Sequence, residues 1–194
     1  FRDAVLLAYG RRCSVCGFGP RQERAPSAIV AAHIWPYEHG GPYLVENGLE
    51  RGFRAIDLSG VSDEGLRSRA GDIRARIAGG DDPAAHLAPV FALAAEAARR
   101  RLDLRVYDAQ LVAAAALHRG RVAQVQTGEG KTLAAVFPAC LEAMSGRGVH
   151  VLTANDYLAR RDAAWMGPVY AALGLSTAAI GERADRAARR AAYR

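Results

Sequence analysis

The run "VQTGEGKTL", Val125 to Leu133, holds the single lysine among 26 Lys plus Arg. Upstream, "RVAQVQ" alternates toward a short strand, and downstream "KTLAAVFPACLEAMSG" carries apolar residues at helical spacing and stops at glycine. Thr127-Gly128-Glu129-Gly130-Lys131-Thr132 is then the turn between strand and helix. Such a turn gathers backbone N–H groups into a concave nest at a helix N-terminus, where phosphate oxygens bind. Gly128 and Gly130 let the backbone come close, Lys131 reaches the β- and γ-phosphates, and the Thr132 hydroxyl ligates Mg²⁺. In a chain that otherwise uses arginine, Lys131 is the compact point charge that such a phosphate contact favours. Val125 stands where the strict phosphate-loop spacing has its first glycine, so the match is to the helicase-type variant.

Working outward, "GVHVLTA" is an apolar, β-branched strand and "NDYLARRDAAWMG" the next helix. Strand, loop, helix, strand, helix is the grammar of a parallel sheet with helices on both faces. Before it, "SDEGLRSRAGDIRARIAG" opens on Ser62 and Glu64, places Leu66, Ile73 and Ile77 on one stripe, and is stopped by Gly79-Gly80. A second helix is expected from about Asp82 or Pro83 to about Arg100, and a third over "YDAQLVAAAALHRG". The expected fold is an α/β P-loop sheet of the RecA or helicase kind, incomplete, preceded by helices and a small partial ββα module.

Composition narrows the class. At 194 residues and 51% hydrophobic the chain can bury a core, and its net charge of +6 permits contact with nucleic acid or anionic lipid. The arginines lie along helical segments such as "RADRAARR", so charge alone selects neither partner. No run approaches the roughly 20 apolar residues of a membrane span, and no signal peptide opens the chain. A cytoplasmic protein is expected, and the start at Phe1 without a Met suggests a fragment. Three cysteines, two of them in Cys13-Ser-Val-Cys16, fit half a metal site in a reducing compartment better than a disulfide framework. Cys140 is expected to be a helix-packing residue, and His86, His118 and His150 to take core or surface places.

From Phe53 onward, "YDAQL", "TGEGKTL", "GVHVLTANDYLARRDA" and "LGL" occur in the order and at the spacing of one family, and "SDEGLRSRA" and "FALAAEAARRRL" match its leading helices. The segment closely resembles the N-terminal nucleotide-binding domain of SecA, the ATPase motor of bacterial preprotein translocation. The resemblance implies that Gln110 reads the adenine edge, that Thr127, Gly128, Glu129, Gly130, Lys131 and Thr132 hold ATP and Mg²⁺, and that Thr153 to Asp162 form a helicase-like motif. It implies the SecYEG channel, preprotein and anionic lipid as partners, at the inner face of the cell membrane. Ala113-Ala114 stands where the family has a Gly-Gly pair, and Gln124-Val125 where it has Glu-Met. The chain ends before the family's Asp-Glu motif and arginine finger, so the expectation is a piece that binds ATP without turning it over. A nucleic-acid helicase shares the glutamine, the phosphate loop and the following strand motif, and stands as an alternative.

The first fifty residues differ in texture, with a boundary near residues 50 to 52. Cys13, Cys16, His33, Gly40, Gly41, Pro42 and Asn47 resemble the opening of an HNH endonuclease. That resemblance implies His33 as general base, Asn47 as its orienting partner, Cys13 and Cys16 as half of a Zn²⁺ site, and DNA as partner. The second ligand pair and the final histidine of that family do not follow Leu49, so His33 and His39 are expected to be surface or loop histidines. The domain expectation is an HNH-like module over 1–50 and a truncated SecA-like nucleotide-binding domain over 51–194.

Overall fold

A computed structural model of the chain describes residues 28–30, as backbone, and residues 52–192. Cys13, Cys16, His33 and Asn47, and with them the ββα module, lie outside the described residues.

Helix α1 (Asp63–Ala78) forms where the sequence signals it: Ser62, at φ −68° and ψ 165°, accepts the Gly65 N–H on its Oγ at 3.0 Å. Asp63 and Glu64 in the first turn and Arg76 in the last complement the helix dipole. Leu66, Ala70 and Ile77 make its buried stripe, with Ile73 partly buried beside them. The single helix expected from Pro83 divides into a 3₁₀ turn, Pro83–His86, and α2 (Leu87–Leu102). Pro89 has no N–H to offer the Ala85 carbonyl, so an unbroken α ladder cannot cross that junction, and the tighter turn takes its place. Asp103 ends α2 in the left-handed region, φ 53°, and returns its N–H to Arg99.

Helix α2 is the centre of the molecule. Val90, Phe91, Ala94, Ala97 and Ala98 are fully buried, which requires neighbours on several sides. Those neighbours are α1, α4 (Lys131–Ala143) and α5 (Asp156–Ala172). Phe91 meets Phe137 of α4 with ring centroids 5.4 Å apart and planes tilted by 52°. The remaining helices are α3 (Asp108–His118), packed on α4, and α6 (Arg186–Ala192), which buries none of its residues.

Polar ties join the helices at their ends. Arg100 bonds Glu96 on its own helix, Asp63 at the start of α1 and the Leu58 carbonyl. Arg67 and Arg74, seven residues apart on α1, donate to the Ala171 and Gly174 carbonyls at the end of α5. Buried His86 places Nε2 2.9 Å from Asp81 Oδ2.

The sheet is smaller than the sequence suggests. β1 (Ala28–Val30) and β2 (His150–Leu152) pair in parallel, with Ile29 opposite Val151. The strand expected over residues 121–126 is reduced to one bridging residue, Ala123. Burial still alternates there, with Ala123 buried, Val125 half-buried and Val122 exposed. Alternation fixes which side faces the core, but a strand also needs a laddered neighbour along its length. The described residues are therefore mostly helical.

Candidate nucleotide-binding site

The loop at 127–130 enters α4 through two glycines in the left-handed region, Gly128 at φ 94° and Gly130 at φ 79°. Gly130 is the N-cap of α4, and no side chain caps the helix. The first N–H groups of α4 consequently have no intrahelical acceptor, and the ladder starts with the Ala134 N–H on the Gly130 carbonyl at 3.0 Å. Thr127, Gly128 and Glu129 are exposed, while Lys131 and Thr132 occupy the half-buried first turn. This is a surface turn followed by free amides and a positive dipole end, a site built for an anion.

Gln110, in the first turn of α3, is 6% exposed. Its Oε1 accepts the Tyr107 N–H at 3.1 Å, and its Nε2 donates to the Glu129 carbonyl at 3.0 Å. One amide therefore fastens the start of α3 to the turn that precedes α4. A Cβ built on Gly130 would collide with Gln110 Nε2. Glycine is thus required at 130 twice over, by its dihedral angle and by the amide lodged against it. A Cβ at Gly128 would meet open space, so only the dihedral angle demands glycine there.

Unshared helix amides and a lysine are donors of the kind that suit phosphate, and a threonine hydroxyl suits Mg²⁺, while the Gln110 amide is turned inward with both of its hydrogen bonds made to Tyr107 and Glu129. Mg²⁺ in such sites takes one or two protein oxygens and fills its octahedron with phosphate and water. Zinc is a different case. No group of three or more His, Cys, Asp or Glu that could hold a metal occurs among the described residues, and the Cys13 and Cys16 expectation lies outside them.

Around this centre the structure brings together residues that sequence reading did not single out. Tyr107, immediately before α3, leaves its side chain 68% exposed beside Gln110. Arg54 grips both carboxylate oxygens of Asp108 at 2.9 Å, tying the chain before α1 to the first turn of α3. Farther along, His118 Nδ1 lies 2.9 Å from Glu142 Oε1. These pairs lie 54 and 24 residues apart in sequence, so no local pattern announces them. In the motif after β2, the Asn155 side chain accepts the Leu158 N–H at 2.9 Å and caps α5, while Asp156 accepts the Glu182 N–H. Burial pushes the Cys140 thiol well above its ordinary range, and Cys140 is a packing residue of α4.

The SecA DEAD-like domain family model matches residues 54–194. Among curated proteins, the chain is 50% identical over 133 residues to a protein translocase subunit SecA of Carboxydothermus hydrogenoformans, covering 69% of this chain and 15% of the relative. It is 47% identical over 140 residues to the SecA subunit of Rubrobacter xylanophilus, covering 72% and 16%. It is 42% identical over 172 residues to that of Anaplasma phagocytophilum, covering 86% and 19%. The chain therefore spans less than a fifth of the length of the relatives it matches.

Proposed function

The chain belongs to the SecA family, and from that membership we propose that it is the ATP-binding part of a motor that moves preproteins through the SecYEG channel. The observation that carries this reading is the joined geometry of α3 and α4: the Gln110 amide lies against the turn that presents the uncapped N-terminus of α4. A base-reading amide and a phosphate-reading turn are thereby held as one unit. In this reading the amides after the two glycines would receive the phosphates, Lys131 would supply the cation for the terminal ones, and the Thr132 hydroxyl would hold the metal. Thr132 would hold Mg²⁺, which when bound would supply positive charge against the charge that develops on the phosphates. To read adenine, Gln110 exchanges one of its two internal hydrogen bonds for the base, so the loop shifts as the base arrives.

The wider assembly follows from the family. Preprotein is the cargo, SecYEG the channel, and anionic lipid the surface on which the motor works at the cytoplasmic face of the membrane. No helix among the described residues is long and apolar enough to cross a membrane, and peripheral attachment is consistent with that. The net charge of +6 permits contact with an anionic surface without selecting one.

Calorimetric titration of Mg-ATP into the chain and into Lys131→Ala tests the reading. Saturable binding is expected for the unmutated chain, with affinity down by about 10-fold or more in the variant, the scale for losing a charge-assisted phosphate contact. Equal binding by both, or none by either, would overturn it.

A further inference from the structure

We propose that the His118–Glu142 pair is a positioning device that sets the placement of α3 against α4, and so holds Gln110 in reach of the base. The proposal rests on the nucleotide reading above for its purpose, and on the helix geometry for its existence. Gln110 and Gly130 meet at the N-terminal ends of α3 and α4, while His118 and Glu142 meet near their C-terminal ends. The two helices therefore run side by side in the same direction, pinned at both ends.

Between the pins the low relief is on α3, whose buried residues after Leu111 are Ala113, Ala114 and Ala115, while α4 buries larger ones such as Val136 and Phe137. Alanines raise only low ridges to interlock with a neighbouring groove, so α3 itself contributes little that fixes its position along the helix axis. A directional bond at the far end supplies what the alanines lack. His118 and Glu142 are suited to this, with side chains only 12% and 14% exposed and a ring nitrogen 2.9 Å from the carboxylate. A charge-assisted bond in that setting is shorter and less screened than one on an open surface. Sliding of α3 by part of a turn would carry Gln110 away from the Glu129 carbonyl and from the adenine edge.

The test uses two readouts on the full chain. One is amide hydrogen exchange at the Tyr107 N–H, which is bonded to Gln110 Oε1 and reports directly on its placement. The other is the affinity for Mg-ATP. His118→Leu should speed Tyr107 exchange by about three- to tenfold beyond any change at the α2 core, and weaken Mg-ATP binding by a similar factor. His118→Gln, which can still donate to Glu142, should restore both. If His118→Leu does not fold, Glu142→Ala removes the acceptor and carries the same expectations. Lower melting temperature with unchanged Tyr107 exchange and unchanged affinity would overturn the proposal, since a merely structural pair does just that. Absence of Lys131-dependent ATP binding in the unmutated chain would sink the nucleotide reading instead. The exchange readout would then decide alone whether the pair places Gln110.

Discussion

Gly130 carries more constraint than any other residue of the loop. Its φ of 79° and its contact with Gln110 exclude a side chain for separate reasons. Gly130→Ala should weaken Mg-ATP binding and lower stability by about 1–2 kcal/mol, the cost of a left-handed non-glycine residue plus displacement of the amide. Gly128→Ala meets open space and should show the dihedral cost without the collision. Comparing the two variants by thermal melting and titration separates the terms, and equal losses would remove the Gln110 contact as a cause. Asp103, a left-handed aspartate at the end of α2, is the reverse case. Asp103→Gly should raise stability by about 0.5–1 kcal/mol in the same melting assay.

Among elements, α2 and α1 give the clearest expectations. Phe91 is fully buried against Phe137, so Phe91→Ala should cost about 3–5 kcal/mol in denaturant unfolding, from lost burial and the cavity left behind. Ser62→Ala removes the cap of α1 and should cost about 1 kcal/mol. The Ser62 cap was readable from sequence, because capping acts within one turn of the chain. The loop from Gly128 to Thr132 is contiguous and so stands out in the sequence, whereas the bond from Gln110 to the Glu129 carbonyl spans 19 residues and no local pattern reports it. The failures have different causes. The strand expected at residues 121–126 depended on a partner that alternation cannot report, and the 3₁₀ break depended on Pro89, six residues past the expected start. His118 with Glu142 and Arg54 with Asp108 are long-range meetings decided by how helices cross, which no local window contains.

For the whole molecule, acid sensitivity follows from carboxylates held ionised by arginine and histidine partners. The Arg99 hydrogen bond, reinforced by Arg100 and opposed by partial burial, holds the Glu96 carboxyl below the usual glutamate range. A depressed carboxyl contributes stability that is fully present above its unfolded-state value and is lost as pH falls through its lower folded-state value. Asp81, held down by the His86 hydrogen bond and by Arg76, acts in the same direction. Melting temperature should therefore fall on acidification below the ordinary carboxylate range, with a shallower fall in Glu96→Gln. An identical acid slope in that variant would exclude Glu96 as a contributor.

The exposed apolar side chains of β2 bear on how the chain behaves at high concentration. Val151 and Leu152 are 40% and 47% exposed on a sheet that has two strands among the described residues, and Tyr157 and Trp165 add exposed aromatic surface on α5. Apolar strands of this kind template pairing between molecules. Colloidal association, rather than unfolding, should therefore limit the concentration the chain tolerates. A single charge placed as a gatekeeper, Leu152→Lys, should lower light scattering at high concentration while leaving the melting temperature nearly unchanged.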